Sequence, residues 1–412
     1  MASLVWLRGG FAGWHQVLVG FVTIGVCIGL ATYSFSVFAH EFAVEFKASH
    51  AQLMLGNAAM VLTQALLAPV VGPWFDRRPI RWFLVAGAVA LALGLAVLAV
   101  ATAMWQVIAS YAVFFALAIV LCGPNPCYAL VARWFDRRRG LALGVMLVGT
   151  SVGGFVLPPT VRALVDGLGR QDAFLLLAAA VLVIILPVAW WMTIDRPQDL
   201  GQFPDGADAP PAAAAHAAGL TTAAVLRSRD FWLLAVSMTI LLGAFTTALS
   251  TLVLFSTSIG IEPARGAWLI PALSVTGLVG KVAFGVAADR IDLRACVLIA
   301  FGCTIVGVGL FCVSRDYVVI AAGCMVLGLA FGGGFSIMGA IIARLFGPEN
   351  FGRVNGLITP LIAFASMVAP LAIGRVYDVA RSYVPGYQGL VVLLVLAAAL
   401  VPWIRVPRAA GR

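Results

Sequence analysis

The sequence predicts an all-α membrane protein with twelve transmembrane helices arranged as two six-helix bundles. Three features predict it: an apolar composition, long runs without charge, and an internal repeat. Of the 412 residues, 62% are hydrophobic and 10% charged, and the mean hydropathy is +1.05. A soluble surface carries roughly 25% charged residues, whereas one bilayer crossing takes about 20 apolar ones. The composition therefore excludes a water-soluble enzyme, a nucleic-acid binder and a disordered chain.

Charge-free runs place the spans in order. Residues 15–39 give span one and 51–75 span two. Residues 82–132 hold no charge at all. At about 1.5 Å per residue this run is too long for one crossing. A break at 101–106 divides it into spans three and four. Spans five to twelve follow at 140–161, 173–194, 231–261, 267–288, 295–314, 317–343, 354–374 and 382–404. Arg8 precedes the first run, which reads as a membrane helix and not as a removed leader. Residues 196–228 are rich in Ala and Pro, the composition of a flexible linker. The domains expected are 1–195, a cytoplasmic linker at 196–228, and 229–412.

Loop charge orients the chain. With the N-terminus inside, eighteen of the 26 basic residues fall in cytoplasmic segments and seven outside, and Lys281 lies within a span. Met1, Arg412 and the linker are all expected on the cytoplasmic side of the inner membrane. The net charge of +9 is thus a topology signal, and no nucleic-acid partner is expected. The seven cysteines lack metal-ligand spacing and read as small hydrophobes; no metal or cofactor is expected.

The halves repeat. Gly72, Asp76 and Arg77 end span two, and Gly285, Asp289 and Arg290 end span eight, 213 residues later. Arg133 and Phe135 follow span four as Arg344 and Phe346 follow span ten, an offset of 211, and Gly144 matches Gly356 at 212. A duplicated six-helix unit is a transporter signature.

These residues are where the chain resembles the major facilitator superfamily, over its whole length. Gly72, Asp76, Arg77 and Arg81 fit the family's loop G-x-x-x-D-R-x-G-R-R/K, with Pro79 in place of a glycine. A narrower resemblance, to the monocarboxylate transporters and the bacterial oxalate/formate exchangers, rests on the stretch from Trp134 to Gly153 with Arg137, Arg138, Arg139, Leu141, Ala142, Gly144 and Gly149. The run from Gly347 through Gly352, Arg353 and Asn355 to Gly356 is similar to bacterial members. Gly10 to Trp14 echoes the first-span signature of animal members without its acidic residue. The resemblance implies that Asp76 and Arg77 clasp the start of span eleven, with Arg81, Asp289 and Arg290 gating alongside them. A carboxylate at a helix N-terminus meets the positive end of its dipole.

Lys281 is the one charged residue in the core of any span. It lies eight residues before Asp289, about 12 Å along the axis, where a charge costs about 2.5–3.5 kcal/mol on insertion scales. Gly277 and Gly285 share its face and are expected to open space for a small carboxylate. By resemblance, Lys281 stands where the family carries an arginine that grips the substrate carboxylate, and Gly277 where it carries a coupling aspartate. Unlike arginine, lysine can also release its proton. Pro124 and Pro126 flank Asn125 and are expected to kink span four, while Asn125 and Tyr128 share a face suited to a carboxylate or hydroxyl. Tyr33 lies near a functional lysine of animal members. Asn57 and Gln64 share a face of span two, and Phe335 follows three glycines in span ten as lid or lining. Pro158, Pro159, Pro360 and Pro370 mark expected bends. Glu41, Arg162, Asp166, Arg375 and Asp378 read as a solvated outer rim or gate.

The function expected is secondary transport of small organic monocarboxylates, with protons as coupling partner, the lipid bilayer as environment and a functional monomer. A carboxylate exchanger or an efflux carrier is the alternative within the same fold. A membrane-embedded enzyme needs a cluster of His, Asp, Glu or Cys inside the spans, and the sequence places none. A phosphate-binding loop is missing around Gly280 and Lys281. A sensor needs a soluble output domain longer than the 33 residues of 196–228.

Overall fold

The computed structural model describes residues 11–35, 38, 42, 45–47, 50–207, 220–262, 265 and 268–406. Met1, Glu41, Pro210 and Arg412 lie outside the described residues. Among those described, twelve helices are long and apolar enough to cross a membrane. They are Gly13–Tyr33, Leu55–Arg77, Ile80–Val100, Met104–Trp134, Arg139–Leu168, Arg170–Met192, Arg229–Leu252, Leu269–Arg290, Leu293–Val313, Tyr317–Phe346, Pro348–Ala380 and Val384–Trp403, hereafter spans one to twelve. The expected bends of spans five and eleven fall inside helices that run on through Pro158, Pro159, Pro360 and Pro370.

Two compact units form. Unit one is Met1–Ala217 with Pro348–Leu357, and unit two is Ala218–Gly347 with Ile358–Arg412. The division therefore differs from a cut on either side of a linker at 196–228. Unit one holds the start of the linker and also the first two turns of span eleven.

Glycine seams hold the spans together within each unit. With lipid on one side, helix association depends on close backbone approach and not on burial from water. In unit one, Gly25 and Gly29 of span one face Gly149 and Gly153 of span five, four residues apart on each helix. A Cβ at Gly25 would stand 2.9 Å from the Gly149 carbonyl oxygen. In unit two, Gly277 and Gly280 of span eight meet Gly328 and Gly332 of span ten, and a Cβ on any of the last three would strike a facing backbone carbonyl. This corrects one expectation. Gly277 opens no space around Lys281; its missing side chain is filled by span ten.

Among the described residues, π-helical turns end span one at Gly29–Tyr33 and span six at Val188–Met192, and one interrupts span four at Tyr111–Phe115. Span four also breaks. One helix ends at Cys122, Gly123 is extended, and Pro124 starts the next segment at its first turn. That position suits proline, because its missing N–H has no helical partner there anyway. The break thus falls one residue before the expected kink.

The linker is ordered where it leaves span six. Short turns form at Pro197–Leu200 and Pro204–Gly206. Asp205 adopts a left-handed backbone, φ 59°, which aspartate tolerates better than most residues. Its carboxylate accepts from the backbone N–H of Asp136 at 2.9 Å, Arg137 at 2.6 Å and Arg138 at 3.3 Å. The Gln202 side chain accepts from the Ala12 N–H at 3.1 Å. Flexible-linker composition therefore misleads for 196–207; residues 208–219 lie outside the described set.

Candidate functional site

Unit one holds Asp76, Arg77 and Arg81 of the residues expected to gate. Asp76 is half-buried in the last turn of span two. One carboxylate oxygen accepts from the Gly352 N–H at 2.8 Å and the other from the Arg353 N–H at 3.0 Å. These are orphan donors of the first turn of span eleven, so the carboxylate acts as a cap supplied by another helix. Approach is close because the facing residues are glycines: a Cβ at Gly72 would strike the Gly352 carbonyl, and one at Gly356 the Ala68 carbonyl. Arg77 and Arg78 are exposed.

A second carboxylate sits at the next helix start. Asp195, just after span six, accepts from the Ile80 N–H and pairs with Arg81 at 3.5 Å. Burial pushes the Asp195 carboxyl above the usual carboxylate range, against the opposing pull of the Ile80 N–H and of the Arg133 and Arg81 charges. Arg133 donates to the Phe75 carbonyl at 2.5 Å, closing the end of span two. Its charge acts on both Asp76 and Asp195. Arg81 is thus held by a partner that the motif does not contain.

The residues read as substrate contacts in unit one divide. Tyr33 is 44% exposed, and its ring covers Gly154 of span five. Asn57 is half-buried, while the buried Gln64 amide nitrogen on the same helix has no hydrogen-bond partner among the described residues. Asn125 and Tyr128 are engaged by the start of span eleven. Asn125 Oδ1 accepts from the Asn355 side-chain amide at 2.6 Å. Tyr128 is 1% exposed, its ring tilted against Phe351 with centroids 5.7 Å apart. Both side chains therefore meet the start of span eleven in this arrangement.

Unit two holds Lys281 and Phe335. Lys281 is 6% exposed within span eight, and its backbone carbonyl accepts from Ser336 of span ten at 2.9 Å. Phe335 packs edge-on against Phe331 at 5.1 Å, and Phe331 stacks on Phe245 of span seven at 3.4 Å. Asp289 is half-buried and Arg290 exposed at the end of span eight. Unit two thus buries a lysine within span eight and stacks Phe245, Phe331 and Phe335 between spans seven and ten.

Sequence reading missed Arg133, Asp195 and Asp205 as holding groups and gave Asn355 no role. For Asp195 the available signal was an acidic residue immediately after an apolar span, a position from which it can cap a neighbouring helix start.

Comparison with known proteins agrees with this fold. The Major Facilitator Superfamily profile matches residues 21–262 and 234–412. Monocarboxylate transporter 12 of Xenopus laevis is 24% identical over 395 residues, covering 91% of this chain and 85% of that protein. Monocarboxylate transporter 3 of Rattus norvegicus is 25% identical over 381 residues, covering 90% and 76%. The crystal structure of the human organic anion transporter MFSD10 (TETRAN) matches with a TM-score of 0.67 at 18% identity, covering 95% of this chain and 98% of that one, and shares the fold. With the profile spanning both halves and twelve spans in place, this chain belongs to the Major Facilitator Superfamily and is a membrane transporter.

Proposed function

We propose that the protein carries small organic monocarboxylates across the cytoplasmic membrane by alternating access, with Lys281 as the anion anchor and a proton as the coupled ion. The observation that carries this reading is the burial of Lys281 within span eight. A cation held away from water is costly, and an arriving carboxylate offsets that cost. The names of the relatives point to the same substrate class. Tyr33, Asn57 and Phe335 are the neutral contacts of the reading; Asn125 and Tyr128 join them when span eleven releases. Asp76, Arg77, Arg81, Asp289 and Arg290 act on the change between states. The protein works as a monomer, with both termini and the linker in the cytoplasm.

Uptake of a panel of carboxylates into proteoliposomes, with and without an imposed pH gradient, tests the reading. Expected is accumulation of a short monocarboxylate that rises when protons are driven in the same direction. Uptake only against preloaded carboxylate, indifferent to pH, would make the protein an exchanger. No transport of any carboxylate would remove the anion assignment. A reporter fused at Pro210 that reads outside the cell would overturn the orientation.

A further inference from the structure

Two cavities adjoin on unit one where span three passes into span four. The first, about 420 Å³, is an apolar groove along Val97 and Val100 of span three and Trp105, Val113 and Phe114 of span four. The second, about 540 Å³, lies around Glu45, Ala101, Thr102, Arg170 and Gln171. Val100 lines both. The groove walls are open, with Val100 61%, Trp105 67% and Val113 54% exposed. Val113 is nine residues beyond Met104, so the groove runs about 14 Å down the helix from its start.

The polar cavity carries both signs of charge. Arg170 Nε pairs with Glu45 Oε2 at 2.6 Å and Nη2 donates to Glu45 Oε1 at 3.0 Å. Further Arg170 bonds go to the carbonyl oxygens of Leu98 and Ala101. Four of the five guanidinium hydrogens are thereby directed, leaving one on Nη1. The Glu45 side chain is 43% exposed and its oxygens retain accepting capacity.

We propose that this double cavity is a binding site for an amine-bearing phospholipid, with one acyl chain in the groove and the headgroup in the polar cavity. The ammonium donates to Glu45; the phosphate accepts from the remaining Nη1–H of Arg170 and from the Thr102 hydroxyl once that turns away from Gln106 Oε1, to which it donates at 3.4 Å. Trp105 lines the groove at the start of span four, where tryptophan favours the membrane interface. A choline headgroup has no N–H to give Glu45, so the site discriminates primary amine from quaternary ammonium. A partner helix would cover the groove but leave the ion pair without a counterpart, whereas a zwitterionic lipid uses both cavities.

The test is native mass spectrometry of the full-length protein in detergent with equimolar phosphatidylethanolamine and phosphatidylcholine of identical acyl chains. Wild-type protein should retain one phosphatidylethanolamine about tenfold over phosphatidylcholine, a difference of about 1.4 kcal/mol. Val113→Trp, which fills the groove from an exposed position, should lose both lipids with thermal unfolding unchanged. Glu45→Gln should keep a lipid but lose the headgroup preference. Equal retention of the two lipids by wild type, full retention by Val113→Trp, an unchanged preference in Glu45→Gln, or a co-purifying protein in place of lipid would each overturn the proposal.

Discussion

Asn355 donates its side-chain amide to Asn125 Oδ1 at 2.6 Å, tying the second turn of span eleven to the restarted helix of span four. The bond belongs with the Asp76 contacts to Gly352 and Arg353. Together they explain why 348–357 packs as part of unit one although the same helix continues into unit two from Ile358. In a carrier that alternates between two states, a helix shared in this way is where contacts must break and reform.

Asn125→Ala and Asn355→Ala should each lower the thermal midpoint in detergent, and the double variant should lower it by less than the two together. One buried amide pair is worth about 1 kcal/mol, so a coupling energy of about that size is expected in the double-mutant cycle. Strictly additive losses would show that the two amides do not cooperate.

Asp76→Asn retains one acceptor for the N-terminus of span eleven but removes the charge that strengthens both bonds. Charge-assisted hydrogen bonds contribute about 1.5–3 kcal/mol against about 1 for neutral ones. The maximal transport rate should therefore change by about tenfold, equivalent to about 1.4 kcal/mol, while KM stays nearly constant. A variant that lost affinity and kept its exchange rate would place Asp76 in substrate binding instead.

The Asp76 contact was expected from the family resemblance of its loop, and the twelve spans were legible because lipid demands long apolar runs. The contacts that Asn125 and Tyr128 make with span eleven were not legible. A polar face on a proline-flanked helix looks alike whether it meets a substrate or another helix. Gly277 misled for a related reason: glycine beside Lys281 reads as open space, yet in membranes it more often admits a neighbouring backbone. The Asp205 and Asp195 contacts join chain segments 67–69 and 115 residues apart, a pairing that no local pattern encodes.

Asp195 supplies a pH-dependent prediction. Its folded-state pKa is raised by burial, so the stability it contributes is fully present below the unfolded value near 3.9 and is lost as pH rises through the folded value. Asp195→Asn mimics the protonated form and can still accept from the Ile80 N–H. It should be as stable as wild type near pH 4 and more stable at neutral pH. Asp195→Ala removes the cap to span three and should cost about 1 kcal/mol throughout. Thermal midpoints of the three proteins between pH 4 and 8 check this; a gap between Asn and wild type that widens toward acid would reverse the sign.

Lys281 separates anchoring from proton coupling through two substitutions. Lys281→Met removes the cation from the interior of span eight, where the native side chain is 6% exposed, and should abolish carboxylate binding. Lys281→Arg keeps a cation, but guanidinium does not lose its proton at accessible pH. The arginine variant should therefore bind and exchange anions while failing to accumulate them in response to a pH gradient. Both assays use the same proteoliposomes, counterflow for exchange and an imposed gradient for accumulation, so a folding defect would appear as loss of both. If the arginine variant accumulates substrate normally, the proton travels by another route and the lysine is an anchor alone. Full uptake with unchanged affinity in Lys281→Met would mean that the buried lysine serves the packing of span eight, and the anion assignment would lose its principal support.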